Sequence, residues 1–191
     1  MEAKKELSFE LHEDMVGLVA QEFSPEDMAK SLADTIKGKS REEMSEIGER
    51  FFTDYGVKWG KRVVELGESY MDRTYEVLKE SIEQTGSPIF PLVPQRFIEI
   101  AYLSTQELST LPVIENNFAR FIFRIENCKI YQGITEGCGE EVAQLLTCRH
   151  GCLNLCRTII EELNIDEVVE EMSATTPEKG YCEFVLRRTN V

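Results

Sequence analysis

The sequence predicts an α+β fold, with a helical N-terminal half and a C-terminal half in which helices pack on a small antiparallel sheet. Three observations lead there. Apolar residues recur every three or four positions through roughly the first hundred residues, the period of a helix with one buried face. The period then changes to strict alternation at Ala119–Glu126 and again near Val168 and Tyr181, which is the period of a half-buried strand. Between those strands lie two further stretches of helical spacing. At 191 residues, 42% hydrophobic and 29% charged, the chain is long enough to bury a real core. The boundary falls after residue 112: residues 1–112 form a helical half and residues 113–191 an α+β half, together one compact domain.

Ser24-Pro25-Glu26-Asp27 starts a helix, with serine as N-cap, proline in the first turn and two acids at the positive end of the dipole. Met28, Leu32 and Ile36 follow on one face, and Gly38 ends it. Ser40 and Glu43 form a capping-box pair for a second helix. Met44, Ile47, Phe51 and Tyr55 mark its buried face, and the periodicity runs on through Val63, Leu66, Tyr70, Val77 and Leu78 to Ile82, with a break near Gly67.

Gly48, Gly56 and Gly60 interrupt this stretch, each at a cost of up to about 1 kcal/mol relative to alanine. Their spacing keeps them within roughly a third of a turn of one another. Close packing of another helix is the simpler explanation, and room for a ligand beside the backbone is the competing one. Gly86-Ser87-Pro88, Pro91 and Pro94 then stop the helix. The connector Ile89–Pro94 is too apolar for a free linker and should lie on the core, and Phe97, Ile98, Ala101 and Leu108 mark one more helix.

In the second half, Phe121, Phe123 and Ile125 alternate with Arg120, Arg124 and Glu126 as a strand. Gly137 and Gly139 place Cys138 in a loop, and Glu140–Leu146 reads as a short helix. Leu153, Cys156, Ile160 and Leu163 mark the next, ending near Asn164. Val168–Ala174 and Tyr181–Arg188 are strands, the second with Cys182, Phe184 and Leu186 on one face. The turn residues Thr176–Gly180 join them as an antiparallel hairpin.

Charge removes several function classes. With 21 Lys+Arg against 35 Asp+Glu the net charge is −14, which disfavours a nucleic-acid backbone or an anionic lipid surface as partner. No window approaches the ~18 apolar residues of a membrane span. Met1–Glu6 is charged and lacks the apolar stretch of a secretory signal, so a cytoplasmic chain with reduced thiols is expected. No glycine-rich phosphate loop and no HExxH is present.

The six cysteines are the informative feature, at 128, 138, 148, 152, 156 and 182. Cys148, Cys152 and Cys156 are four residues apart, so on a helix each lies ~40° from the last and the three line one face. Three explanations compete. Buried cysteines pack as small apolar groups. Three or four thiolates, with Cys128, Cys138 or Cys182 completing the set, bind zinc or an iron–sulfur cluster. Or Cys148, near a helix N-terminus and beside Arg149, is a nucleophile activated by the dipole or by His150. The second histidine, His12, and the single tryptophan, Trp59, read as a solvated side chain and a core side chain. The runs Glu161-Glu162 and Glu170-Glu171 read as solvated faces.

A strand ending at Cys128, then Cys148, a helix, a strand and the closing Gly180-Tyr181-Cys182-Glu183-Phe184 together resemble the L-2-amino-thiazoline-4-carboxylic acid hydrolase-like family. The 4-vinyl reductase small-ligand-binding domain has a similar layout and a similar final Cys-x-Phe strand. The first resemblance implies opening of a cyclic C–N bond, with Cys128, Cys148 and Cys182 at the matching positions. The second implies a non-catalytic small-molecule sensor. This chain departs from the hydrolase pattern by adding His150, Cys152 and Cys156, which shifts the expectation toward a metal or cluster. The sequence thus nominates Cys148 and His150 as catalytic candidates, and Cys128, Cys148, Cys152, Cys156 and Cys182 as ligands of zinc or an iron–sulfur centre. A small molecule is the expected ligand, and a homodimer through the glycine-bearing helix is a third option.

Overall fold

The structure, a computed structural model, describes residues 13–69, 75–105, 110–146 and 148–189. The fold is α+β. Within the described residues the helices are α1 (Glu13–Glu22), α2 (Pro25–Ile36), α3 (Arg41–Ser69), α4 (Tyr75–Thr85), α5 (Gln95–Thr105), α6 (Lys129–Cys138), α7 (Glu140–Leu146), α8 (Arg149–Glu162) and the single turn α9 (Thr176–Lys179). The strands are β1 (Val113–Asn116), β2 (Arg120–Glu126), β3 (Val168–Ala174) and β4 (Tyr181–Arg188). They form one antiparallel sheet in the order β1-β2-β4-β3.

The helix starts follow from local chemistry. The Asp27 amide donates to Ser24 Oγ at 3.3 Å, and the Glu43 amide to Ser40 Oγ at 3.2 Å while Glu43 accepts from the Ser40 amide at 2.9 Å. Gly38 closes α2 with φ +73°, a conformation that glycine adopts without strain.

The sheet buries one face. Phe121, Phe123 and Ile125 of β2 and Cys182, Phe184 and Leu186 of β4 are buried, and Phe123 pairs directly with Phe184. Their rings stack at 4.9 Å between centroids and 3° between planes. The opposite face is polar. Arg124 donates to Glu183 at 2.8 Å and lies over the Tyr181 ring at 4.2 Å. Helices α5 and α8 cover the buried face, and a single hydrophobic core joins both halves of the chain.

The long helix α3 lies against α8, and its glycines are the reason it can. A Cβ on Gly56 would stand 2.1 Å from the Gly151 carbonyl oxygen, and one on Gly60 would stand 2.7 Å from Thr158 Cβ. Gly48 meets Leu146 in the same way. The glycines therefore serve close helix packing, which leaves no room there for a ligand or a second chain.

Several other expectations are corrected. The most buried face of α3 is Gly48, Phe52, Gly56, Trp59, Gly60 and Val63, because the glycines draw α8 inward. Met44, Ile47, Phe51 and Tyr55 border that face and are half-buried. Helix α3 runs two residues past Gly67 to Ser69 and a separate helix α4 begins at Tyr75, and Ile82 is exposed. Cys138 ends helix α6 instead of lying in a loop, and Gly139 after it has φ +86°. The strand β1 and the helix α1 had no distinct sequence signal. Glu170 is not solvated: its side chain is only 7% exposed and accepts from Arg157 of α8 at 2.7 Å. The connector before α5 does lie on the core, with Phe90, Leu92 and Val93 buried. His12, Tyr70 and Leu108 fall outside the described residues.

Candidate thiol centre

Four of the cysteines are gathered at one end of the sheet. Cys182 is the second residue of β4, directly opposite Ile125 of β2. Cys128 lies just beyond β2, past the turn made by Asn127 at φ +55°, and is the N-cap residue of α6. Cys148 is the N-cap residue of α8, and Cys152 is one turn further along it. The α3–α8 crossing passes through Gly151, between these two cysteines, so the glycine packing sets where the start of α8 lies.

The charges of the four thiols act on one another. Charge on Cys182 raises the pKa of Cys128, and charge on either of these raises that of Cys148. Charge on Cys148, Cys182 or Cys128 raises that of Cys152. Every pair among the four therefore interacts. Burial is the larger cause in each shifted case. It pushes Cys128 up to about 11 although the first amides of α6 pull the other way, and it pushes Cys148 and Cys152 well above the usual thiol range. All six cysteines are free thiols.

Burial and the neighbouring thiols work against a thiolate at Cys148. The helix end was expected to favour its thiolate, but burial and the neighbouring thiols outweigh it. Cys148 makes no capping hydrogen bond. His150 lies two positions on, about 200° around the helix, and is not among the described residues lining the pocket at Cys148. The described geometry does not pair the two as nucleophile and base.

Cys156 is buried one turn beyond Cys152 and interacts with Cys152, Glu170 and Arg157, outside the group of four. Burial raises Cys138 as well, and none of the described shifts couples it to another thiol. The helical stripe of Cys148, Cys152 and Cys156 thus spans two environments. The first residue reaches the surface and the last lies in the core.

Two cavities flank the group. A surface pocket of about 170 Å³ is bordered by Ala143, Gln144, Arg149, Thr175 and Glu178 together with Cys148 and Cys182. At its edge Cys182 Sγ lies 3.2 Å from Thr176 Oγ1. An interior cavity of about 20 Å³ between α5, α8 and the sheet is lined by Phe97, Leu155, Phe123 and Phe184 together with Cys152 and Cys156. It has room for about one water.

Among the described residues no three His, Cys, Asp or Glu side chains stand in a geometry that could hold a metal ion. The four thiols are grouped without converging on one point. Among the described residues no helix is long and apolar enough to cross a membrane. No protein-family model matches the chain, and no curated protein is significantly similar to it.

Proposed function

We propose that the chain is a metal-binding domain in which Cys128, Cys148, Cys152 and Cys182 hold a zinc ion or an iron–sulfur cluster. The observation that carries this reading is the placement of these four cysteines: Cys128 just past β2, Cys182 opposite Ile125 at the start of β4, Cys148 and Cys152 at the start of α8, with Cys148 and Cys182 bordering one pocket. Four thiolates are a sufficient ligand set for tetrahedral zinc or for a cluster. A group of buried thiols that repel one another's charge is unfavourable as thiolates, and a bound cation reverses that sign. Zinc would require the four sulfurs on a common centre at ~2.3 Å. Cys156 and Cys138 are outside this set.

The test is cobalt titration of the reduced protein. Tetrahedral cobalt–thiolate absorption should grow to one equivalent, be displaced by zinc, and fall sharply in Cys148→Ser and Cys182→Ser but not in Cys138→Ser. Absorption unaffected by Cys182→Ser would reject this ligand set. The competing sensor reading, with a small molecule between helices and sheet, draws little support from an interior cavity with room for about one water.

A further inference from the structure

The surface pocket and the thiol group share two side chains. Cys148 and Cys182 line the pocket, whereas Cys128 and Cys152 are not among its described lining residues. Cys152 instead faces the interior cavity. Of the four grouped thiols, a small polar reagent entering this pocket therefore meets Cys148 and Cys182 first. Cys148 makes no side-chain cap hydrogen bond to α8, and Cys182 Sγ lies 3.2 Å from the Thr176 hydroxyl.

We propose that Cys148 and Cys182 are a redox pair, joined as a disulfide when a small peroxide enters the pocket. One sulfur attacks a peroxide oxygen, the O–O bond breaks, and a sulfenic acid and one water are formed. The second sulfur then attacks the sulfenic sulfur and displaces its hydroxyl as a second water. Two thiols and one hydrogen peroxide give one disulfide and two waters. Two electrons pass from sulfur to oxygen. The bond ties the first turn of α8 to β4.

Regulation of the centre rests on the proposed metal reading: a bound cation holds the thiols as the reactive thiolates, and losing two of four ligands releases it. Without a cation the same two sulfurs still line the pocket, and the bond forms at a rate set by the small thiolate fraction.

The experiment treats the full chain, zinc-supplemented and freed of excess metal, with one equivalent of hydrogen peroxide. Remaining thiols are then alkylated and the protein is cut with trypsin without reduction. The sequence separates the partners: Cys182 falls in peptide 180–187, Cys128 in 125–129, Cys152 and Cys156 in 150–157, and Cys138 and Cys148 in 130–149, where fragment ions tell them apart. The expected product joins 130–149 to 180–187 through Cys148, survives Cys138→Ser and is absent in Cys148→Ser. A first disulfide between any other pair, six alkylated cysteines, or over-oxidation without a cross-link would overturn the proposal. Zinc release is followed in parallel with a chromogenic chelator. A Cys148–Cys182 bond formed by a chain that held no zinc supports the redox pair and refutes zinc as the occupant of the centre.

Discussion

Gly56 of α3 and Gly151 of α8 meet so closely that a methyl group on Gly56 would stand 2.1 Å from the Gly151 carbonyl oxygen. The contact is backbone to backbone, so no side-chain rotation relieves it. Gly151 also lies between Cys148 and Cys152 in sequence, so the helix crossing and the thiol group are parts of one arrangement.

Gly56→Ala should therefore destabilise the protein by about 3 kcal/mol or more, the upper range for over-packing, because a backbone has to move. Gly17→Ala, in α1 with nothing within 4 Å of its added carbon, should stabilise by about 0.5–1 kcal/mol through helix propensity alone. Urea unfolding of the two variants beside the parent protein checks the contrast. Equal effects would show that α3 and α8 are not in close contact.

The buried carboxylate of Glu170 depends on Arg157. Arg157→Ala should cost about 1–3 kcal/mol, because an unpaired buried charge is left behind. The double variant Arg157→Ala/Glu170→Gln should recover most of that loss. Thermal unfolding of the four proteins in the cycle measures the coupling. A double variant as unstable as the sum of the singles would mean the pair does not interact.

The metal-free protein should lose stability in alkali. Burial raises the Cys128 thiol from 9 to about 11, so between those values the unfolded chain gives up its proton while the folded chain keeps it. The unfolded state then binds fewer protons, and stability falls as pH rises, by up to about 3 kcal/mol for two pKa units. Urea midpoints between pH 8 and 11 should decline, and Cys128→Ser should decline less. A flat profile in the parent protein would contradict burial of this thiol.

Alkylation should rank the thiols by environment. In the metal-free chain at pH 8, iodoacetamide should modify Cys138 well before Cys148, since Cys148 has burial and two neighbouring thiols against its charge while Cys138 has partial burial alone. Peptide mapping over time gives both rates. Cys148 as the fastest site would restore it as an activated nucleophile.

The sequence shows much of the fold and only part of the site, for physical reasons. Capping at Ser24 and Ser40 is local chemistry, and the alternation of Phe121, Phe123 and Ile125 is a local period. Both survive into the structure. Cys138 reads as a loop residue because Gly137 and Gly139 flank it. Gly137 instead lies inside α6 and close to α2, with Ala29 as its neighbour. In the thiol group, the four-residue spacing put Cys148 and Cys152 together, but it also pointed to Cys156, which the helix carries past the group into the core. Cys128 and Cys182 are nominated through the family resemblance; the β2–β4 register that sets Cys182 opposite Ile125, three residues before Cys128, is contained in no local pattern. The raised thiol pKa values came from burial, a property of the assembled core.

Elemental analysis with an absorption spectrum, on protein purified without air, tests the thiol centre most directly. The proposed function predicts one zinc per chain, or iron and sulfide with visible absorption, together with loss of that metal in Cys148→Ser and Cys182→Ser and its retention in Cys138→Ser. Metal-free, colourless protein with six titratable thiols that takes up no added zinc or reconstituted cluster would contradict it.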